Sequence, residues 1–533
     1  MSKEKKQQEI ELKLVLPGPE AEAAVVAKMR EAHYSVKGPV PVRNIDIYLD
    51  TFDWLLLKKK LALRYRIAAG KAVYTIKSVG EMEKGIAKRS ETEIKLAAPA
   101  AVPADLPAKK IKEIISGVIY PRKLLEHIQI RTERRTYRVT SPEGAEIELA
   151  FDTSSFALRG LHPPCRAAKL QELEAEILKG PPACLTPLSA LLQHAFGYTV
   201  STKSKLEVAM ERLKVSPPAK KPPDKLRIRR DDRLDLALRK IISDQFNRLG
   251  EQIPGVQKDI DTEFVHQARV STRRMRSALK LFPGAIAPGI AGYLSRELKW
   301  LGALFGEVRD LDVFLLNLSR FRMQIERFPA KKKDVFDNWI DQHRRAPLKK
   351  LCGALESPRF ANFARRLTGF VEGRLPQRPR APAALQLVGA AAPAVIRQRL
   401  NAVIKQGQAV LAAPDLKQFH LLRIEMKKLR YACEFISPAY DGGLDRFINR
   451  TAEIQDCLGA IQDTVFTRGF IGFLFDEWRN KLVNPYLIFI LGEIYQLQAE
   501  IAERRRESFA KIWEKFSSAE TIRELDAVLA ESK

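Results

Sequence analysis

The chain has 533 residues, 45% of them hydrophobic, and a net charge of +27 from 91 Lys and Arg against 64 Asp and Glu. Its length predicts two to four domains, and its hydrophobic fraction excludes wholesale disorder. So large a positive excess predicts an anionic partner, such as nucleic acid, polyphosphate or an acidic membrane surface. The five cysteines contain no C-x-x-C pair, which argues against a disulfide framework or a zinc cage.

The N-terminus is polar and lacks the apolar core of a signal peptide. No apolar run reaches the ~18 residues that a membrane span needs. We therefore expect a cytoplasmic protein that does not associate with a membrane.

Charged and aliphatic residues alternate strictly over residues 9–14. Successive side chains of a strand point to opposite faces, so Glu9, Glu11 and Lys13 share one face. The same alternation recurs up to about residue 213 and predicts an α+β domain with a largely antiparallel sheet. Helical patterns interrupt it at 20–33, 121–129 and 186–196. An isolated E-x-E-x-K is also the ordinary pattern of a half-solvated strand.

Acidic and basic residues of these strands are segregated along the chain. Glutamates cluster near both ends of the domain, and arginines and lysines lie between them. If the sheet closes into a barrel with the charged face inward, it forms a polar tunnel. Buried charges of both signs need counter-ions, which Mg²⁺ or Mn²⁺ together with a polyphosphate would supply.

Nine motifs, in order along the first 210 residues, resemble the CYTH family of triphosphate tunnel metalloenzymes. The resemblance implies an eight-stranded antiparallel tunnel barrel over residues 1–214 that hydrolyses a triphosphate with Mg²⁺ or Mn²⁺. The motifs are EIELK (9–13), IYLDT (47–51), LRYR (63–66), TIK (75–77), RSETE (89–93), TERRTYRV (132–139), AFD (150–152), ELEAEILKG (172–180) and SKL (204–206).

The resemblance also implies roles for individual residues. The metal would be held by Glu9, Glu11, Asp152, Glu172 and Glu174. The two N-terminal glutamates would act in catalysis with the triphosphate clamps Lys13, Arg64, Arg66, Lys77, Arg134 and Lys205. The residue that orients the attacking water is not identified.

Several assignments stay open. The choice of Arg134 over Arg135 depends on aligning TERRTYRV with the family, because arginines of this segment fall on both faces of the predicted strand. Glu176 shares the parity of the metal-binding glutamates but could lie beyond the metal. The residues that could belong either to the pocket or to the barrel surface are Arg89, Glu91, Glu148 and Lys203.

Two proline pairs among many charges mark residues 215–231 as a semi-rigid linker. Beyond it the hydrophobic period becomes helical, and the second part carries the larger share of the positive charge. An internal repeat is present, because residues 266–276 align without gaps to 420–430, and LFGEVRD (304–310) matches CLGAIQD (457–463).

Within each copy, the basic residues are spaced so that they fall within roughly one quarter of a helix circumference. A single stripe of this kind is usually a solvated surface. Its repetition predicts two stripes that face each other across a pseudo-two-fold axis and form one basic groove or pore.

The repeated elements resemble the CHAD domain, an all-α domain known for polyphosphate binding. The resemblance implies a helical bundle with an internal two-fold repeat over 232–520, with halves at about 232–375 and 384–517. Asp310 and Asp463 are expected to pair with the arginines. The implied polyphosphate contacts are His266, Arg269, Arg273, Arg274, Arg276, His420, Arg423, Lys427, Lys428 and Arg430.

The leading hypothesis is metal-dependent hydrolysis of inorganic triphosphate to pyrophosphate and phosphate, with polyphosphate bound by the helical part. A thiamine or nucleoside triphosphatase would use the same core, and a non-catalytic polyphosphate-binding scaffold is the alternative outside enzymes. Nucleic acid is not the expected partner, because no groove-reading motif is recognised. The absence of G-x-x-x-x-G-K-[ST] excludes a P-loop enzyme.

Overall fold

The computed structural model describes residues 5–78, 82–83, 86–96, 114–115, 118–119, 122–160, 166–201, 203–217, 227–324, 334–374, 381–479 and 485–530. The chain divides into two compact units, Met1–Lys221 and Pro222–Lys533. In the described ranges, we find no helix with the length and apolar character needed to cross a membrane.

The first unit is built on one antiparallel sheet. The strands are β1 (Lys5–Val15), β2 (Ser35–Asp50), β3 (Leu61–Ala68), β4 (Lys71–Ser78), β5 (Met82–Glu83), β6 (Ile86–Leu96), β7 (Leu125–Thr140), β8 (Glu146–Leu158), β9 (Arg166–Lys179) and β10 (Thr199–Val200). Seven of them follow the order β9-β8-β7-β2-β3-β4-β6, and β1 pairs with both β9 and β6, so these eight strands close into a barrel.

The outer face of the barrel is apolar. Leu14, Leu149 and Leu173 pack beneath helices α1 (Ala21–Glu31) and α3 (Leu185–Phe196). Around β2, β3 and β4, the outward side chains form a second cluster, which includes the short helix α2 (Leu55–Lys58). Because side chains alternate across each strand, the charged positions of the same strands project into the barrel.

Helix α4 (Lys205–Arg212) closes one end of the barrel. Its residues Leu206 and Met210 pack in one buried cluster with Ile130, Phe156 and Leu170. These three residues occupy strand positions on the inner face of the barrel. The interior of the barrel is therefore charged in its middle and apolar where the helix plugs it.

Two local predictions in this unit are wrong. The alternation predicted up to about residue 213 does not form a strand at 203–205, because Ser204 and Glu207 form a capping box, which places Lys205 in the first turn of α4. The predicted helix at 121–129 is replaced by β7, which begins at Leu125. Pairing of β7 with β2 and β8 outweighs the local helical pattern.

The second unit is helical. One hydrophobic core runs through both halves, and it includes Leu525 and Leu529, so the helical unit continues beyond the predicted end at residue 520. Its helices are α5 (Leu234–Gln257), α6 (Thr262–Ala278), α7 (Pro288–Gln324), α8 (Asp334–Leu355), α9 (Pro358–Val371), α10 (Val388–Ala412), α11 (Leu416–Ile436), α12 (Asp445–Trp478), α13 (Pro485–Ser517) and α14 (Ala519–Ala530).

Candidate active site and anion-binding surface

Glu174 on β9 lies at the centre of the charged interior of the barrel. Its carboxylate is 3.0 Å from Lys13 Nζ and 2.9 Å from Lys205 Nζ, and Arg134 contacts its second oxygen. Burial alone would raise the pKa of Glu174, but these three cations hold it well below its ordinary value. The carboxylate is therefore ionised and holds cations from three different elements together.

Asp152 on β8 forms a second acidic centre. Arg134 donates two hydrogen bonds to its carboxylate, Nε to Oδ1 at 2.8 Å and Nη2 to Oδ2 at 2.7 Å, and Lys205 Nζ contacts Oδ2 as well. The next residue, Arg135, has the opposite parity and pairs with Glu22 on α1, with 3.0 Å between Nε and Oε1. The structure thus turns Arg134 into the barrel and Arg135 out of it.

Strand β1 adds Glu11 and Lys13 to this centre, with 3.2 Å between their charged groups. Burial would lower the pKa of Lys13, but Glu174, Glu11 and Glu172 outweigh it and raise the pKa above its ordinary value. The backbone of Glu9 lies on β1 opposite Arg89 of β6. The side chains of Glu9, Arg89 and Glu91 lie outside the described residues.

The opposite wall of the barrel is basic. Arg66 donates to both oxygens of Asp46 at 2.7 and 2.8 Å, and Arg64 Nη2 donates to Thr75 Oγ1 at 3.2 Å. Burial raises the pKa of Asp46, but the two arginines outweigh it and bring the value to about 2. Lys77 follows Thr75 on the same face of β4 and is half-buried.

Asp46 was not among the predicted site residues. The alternation of Asp46 with Ile45 and Ile47 was the sequence signal that could have identified it. In the structure it lies directly opposite Arg66 on β3. Glu148 lies opposite Glu176 of β9, and Lys203 pairs with Glu211 on the exposed side of α4, 2.7 Å apart.

Glu172 is the buried acid without a partner among the described residues. Its side chain is fully buried, and neither carboxylate oxygen accepts a hydrogen bond there. Burial raises its pKa to about 7, although Lys205 opposes the shift. A buried carboxylate in this state gains from a proton or a cation.

The acidic oxygens of the barrel differ in how available they are to a divalent cation. The unpaired oxygens of Glu172 are hard donors of the kind that Mg²⁺ and Mn²⁺ prefer, so they fit such an ion. The oxygens of Asp152 and Glu174 are instead engaged by lysine and arginine. Across the described ranges, no three His, Cys, Asp or Glu side chains converge as a metal cluster.

In the second unit, the corresponding helices α6 and α11 of the two repeats lie side by side. Arg273 Nε donates to Tyr431 Oη at 2.9 Å. The guanidinium of Arg274 lies 5.1 Å from the Tyr431 ring and 4.8 Å from the Phe435 ring, and it contacts Glu434. The two predicted stripes are therefore neighbours.

A glycine accompanies one arginine in each repeat. A Cβ on Gly306 would collide with Arg269 Nη1, and one on Gly459 would lie 4.0 Å from Arg423 Nη2. Burial lowers the pKa of both arginines, while Asp310 opposes the shift at Arg269 and Asp463 opposes it at Arg423. Gly306 therefore lets the Arg269 guanidinium lie against the backbone of α7, whereas the position of Arg423 does not depend on Gly459.

Lys427 is the most perturbed cation of this surface. Burial, together with repulsion from Arg423, Arg273 and Arg269, lowers its pKa to about 7 against the attraction of Asp463. Four of the ten predicted polyphosphate contacts therefore form one cluster of mutually repelling cations.

The remaining predicted contacts differ in their surroundings. Arg430 Nε donates to Glu434 Oε1 at 2.6 Å, so Glu434 engages cations from both stripes. Lys428 pairs with Glu425 at 2.6 Å, and His420 Nδ1 lies 2.7 Å from Gln462 Oε1. His266 and Arg276 are half-buried on α6.

A cleft of about 970 Å³ opens between α11, α12 and α13. Arg423 and Lys427 line it together with Arg504 and Arg505 of α13, which were not predicted. These two arginines lie outside the repeated motifs, so no repeat alignment could have found them.

Comparison with known families decides the identity of both units. The CYTH domain model matches residues 7–208, and the CHAD domain model matches residues 240–472. The chain carries a CYTH domain followed by a CHAD domain. The family predicted from the nine motifs and the repeat is thereby confirmed, as is the predicted order of an antiparallel sheet domain and a helical domain.

The individual relatives share low sequence identity with this chain. Two uncharacterized proteins of Mycobacterium tuberculosis, from strains CDC 1551 and H37Rv, are 26% identical over 267 residues, which is 48% of this chain and 48% of each relative. The chain thus spans about half the length of the curated relatives it matches.

Solved structures with some likeness include the CHAD domain of the plant Ricinus communis, at 21% identity and a TM-score of 0.40 over 58% of this chain and 96% of that chain. A putative adenylyl cyclase from Hippeastrum with a dominant triphosphatase activity is 20% identical, with a TM-score of 0.30 over 40% of this chain and 99% of that chain.

Proposed function

We propose that the CYTH domain is a metal-dependent hydrolase of inorganic triphosphate, which releases pyrophosphate and phosphate. The observation that carries the proposal is the convergence of Lys13, Arg134 and Lys205 on the inner face of a barrel that also holds Arg64 and Arg66. Such a density of inward cations in a small barrel needs an anionic occupant, because small barrels otherwise fill with apolar side chains.

The resting ion pairs suit a triphosphate. Asp152 and Glu174 keep Arg134, Lys13 and Lys205 charged and aimed into the tunnel. Phosphate oxygens form charge-assisted hydrogen bonds of the same geometry, so the cations can exchange carboxylate for phosphate without changing position. Phosphoryl transfer depends mainly on this positioning and on neutralisation of the phosphate charge.

Glu172 is the acid that supports a metal in the same tunnel, because its oxygens are buried and accept no hydrogen bond from the described part of the chain. With Glu9 and Glu11 it would hold Mg²⁺ or Mn²⁺. The bound ion would neutralise phosphate oxygens that the basic residues leave exposed.

The closed end of the barrel supports a short, linear substrate. The charged layer ends where the hydroxyls of Thr132 and Ser154 meet at 3.0 Å, and apolar residues packed against α4 follow. A chain of phosphates can enter only until it reaches this apolar layer. Thiamine and nucleoside triphosphates place their phosphates in the same tunnel and differ only at its mouth, so they are alternatives that the experiment must separate.

For the CHAD domain we propose polyphosphate binding. The support is the cluster of Arg269, Arg273, Arg423 and Lys427, whose mutual repulsion a polyanion would relieve. A non-catalytic polyphosphate scaffold would need this cluster alone, and it would give no reason for a buried unpaired glutamate in the CYTH domain.

The test is phosphate release from inorganic triphosphate, ATP and thiamine triphosphate, each with Mg²⁺, Mn²⁺ or a chelator. The wild type should hydrolyse inorganic triphosphate fastest and only with a metal. Glu172→Gln, which keeps shape but removes the charge, should lose most of this activity, and the outward-facing Arg135→Gln should keep it. Hydrolysis rates equal to the blank with every metal would refute the enzymatic function and leave the non-catalytic polyphosphate-binding scaffold.

A further inference from the structure

The helices α12 and α13 form a hairpin whose end, residues 466–497, carries an apolar surface open to solvent. Five large side chains of this hairpin end are each between 37% and 52% exposed. They are Phe473, Phe475, Ile488, Phe489 and Tyr495. Single exposed apolar residues are ordinary, but a group of them on one element marks an interaction surface. The other side of the hairpin end packs with Phe314 of α7 in a buried cluster of its own, so its position is fixed.

The exposed side chains of the two helices lie at matching levels. Arg468 Nη2 donates to Tyr495 Oη at 2.7 Å, and the guanidinium lies 4.4 Å from the centre of the Tyr495 ring. The helices are antiparallel, because their contacts pair rising residue numbers on α12 with falling numbers on α13. Seven residues, or about two turns, further along each helix, Phe475 therefore lies beside Ile488. These two side chains form a ridge across the hairpin, here called the hairpin ridge.

Two glycines lie between the hairpin ridge and the Arg468–Tyr495 contact. A Cβ on Gly472 or on Gly492 would meet no atom within 4 Å, so the surface is open at both positions. Together they form a shallow depression next to the ridge, here called the glycine hollow. A ridge beside a hollow is a self-complementary shape, because a two-fold rotation places each ridge over the other hollow.

The charges of the hairpin end favour a second copy of this chain as the occupant. The chain as a whole has a net charge of +27, but residues 466–497 contain three acidic and three basic residues and are neutral. Two copies can therefore approach here without net repulsion, whereas an anionic lipid surface would find no excess of basic residues. Asp476 and Arg479 are exposed near the ridge, and neither forms an ion pair with a described residue. One acid and one base of this kind complement each other across a two-fold axis.

The area of the surface also suits a second copy. A large apolar side chain presents about 200 Å² when fully exposed, so the five exposed side chains offer roughly 450 Å². Protein interfaces are roughly 60% apolar, so the hairpin end and its polar rim correspond to about 750 Å² on each copy. This value is close to the ~800 Å² per partner of a standard interface.

We propose that two copies of this chain dock through their hairpin ends around a two-fold axis, with the hairpin ridge of each copy seated in the glycine hollow of the other. Asp476 of each copy then lies near Arg479 of the other. The inference is independent of both proposed functions, because it involves no anion and no residue of the barrel or of the basic cluster.

The test is sedimentation velocity of the full chain, purified free of polyphosphate, over a series of protein concentrations. The wild type should change from monomer to dimer in the micromolar range. Phe475→Asp/Ile488→Asp should weaken dimerisation by about tenfold or more, because two charges would be buried without a partner. The control Leu385→Asp/Leu411→Asp changes two similarly exposed leucines outside the hairpin end and should dimerise as the wild type does.

Gly492→Leu tests the shape of the surface without adding a charge. The monomer should accept the new side chain and keep or raise its melting temperature, because the position is open and leucine favours a helix more than glycine does. The leucine would fill the glycine hollow and weaken dimerisation by about tenfold or more. Gly353→Leu on α8, where the space is equally open, should dimerise as the wild type does.

The two charges identify the partner as a second copy. Asp476→Arg should weaken dimerisation, because it would lie near Arg479 of the other copy, and the exchange Asp476→Arg/Arg479→Asp should restore it. Added salt should strengthen the dimer, since it screens the repulsion between two chains of net charge +27. Association through a bridging anion would weaken with salt instead.

Three results would overturn the proposal. The first is a wild type that stays monomeric at every concentration. The second is a dimer that the leucine control weakens as much as the ridge variant does, or that salt dissociates. The third is a monomeric wild type that floats with vesicles containing anionic lipid and loses this binding in Phe475→Asp/Ile488→Asp, which would assign the hairpin end to a membrane surface.

Discussion

Arg134 and Asp152 face each other across β7 and β8 and are joined by hydrogen bonds of 2.8 and 2.7 Å. The same carboxylate also contacts Lys205 at the start of α4. One acid therefore fixes a strand cation and a helix cation inside the barrel, and the geometry of the whole basic centre depends on it.

Asp152→Asn should destabilise the CYTH domain by about 3 kcal/mol, because it removes the charge that neutralises two buried cations. Tripolyphosphate added with a chelator should then raise the melting temperature of the variant more than that of the wild type. Phosphate oxygens would replace the lost carboxylate. Arg135→Ala, which breaks an exposed ion pair with Glu22, should cost at most about 1 kcal/mol and serves as the control. If tripolyphosphate raised the melting temperature equally in all three proteins, the exchange of carboxylate for phosphate would be contradicted.

The Glu172 carboxyl should make stability fall as pH rises. Its folded pKa of about 7 exceeds the ordinary value of 4.5, so the folded protein binds more protons than the unfolded chain between these pH values. The free energy of unfolding should decrease by about 3 kcal/mol from pH 4.5 to pH 7 through this group alone and stay level above. Glu172→Gln should lack this component, which urea unfolding at pH 5 and pH 8 would measure.

A divalent metal should oppose the loss of stability that follows deprotonation of Glu172, since the metal competes with the proton for the same oxygens. Mg²⁺ or Mn²⁺ should therefore stabilise the wild type more at pH 8 than at pH 5. A metal effect independent of pH, or equal in Glu172→Gln, would show that the ion binds elsewhere.

Charge reversal of one arginine in each repeat, Arg269→Glu with Arg423→Glu, should sharply weaken retention of polyphosphate while triphosphate hydrolysis continues. The two residues contribute to the same cationic cluster. Gel retardation with long-chain polyphosphate and phosphate release from triphosphate give the two readings. Unchanged retention would refute the proposed groove.

The two repeat glycines offer a matched pair of substitutions. Gly306→Ala should displace Arg269 and weaken polyphosphate binding, whereas Gly459→Ala leaves ordinary space to Arg423 and should leave binding unchanged. Each alanine also gains about 1 kcal/mol of helix propensity, so Gly459→Ala should be the more stable variant. Thermal unfolding and polyphosphate titration would check both expectations, and identical behaviour of the two variants would contradict them.

Polyphosphate binding should strengthen as pH falls through about 7, because Lys427 gains its charge there. The groups that face it are Arg269, Arg273, Arg423 and Asp463. Lys427→Arg keeps a positive charge across this range and should flatten the pH profile between pH 6 and pH 8. Lys428→Arg, whose lysine pairs with Glu425, should retain the wild-type profile.

Strand parity was enough to predict that Lys13, Arg64 and Glu174 share the interior of one barrel. Parity could not choose between Arg134 and Arg135, since adjacent residues always point to opposite faces and the choice depends on which face the barrel closes around. It also misassigned Lys205, because a two-residue alternation resembles a strand until the capping signal from Ser204 and Glu207 is recognised. Local sequence patterns of this kind are weaker than the tertiary packing that determines whether a segment is a strand or a helix and which face points inward.

Other features depend on distant contacts. Among the described residues, Glu174 has three partners and the Glu172 carboxylate accepts no hydrogen bond. This difference follows from the register of β9 against β1 and β8, which no short motif encodes. The cations of α13 lie outside the two aligned motifs, so only the packing of the helices places Arg504 in the same cleft as Lys427.

The apolar plug formed by α4 has a consequence for turnover. If the barrel hydrolyses a triphosphate as proposed, the apolar cluster around Leu206 and Met210 makes substrate and products pass through the same opening. The last group to enter must then be the first to leave. The fragment nearer the mouth departs before the fragment held deeper, so the order of product release reports which end of the triphosphate is cut.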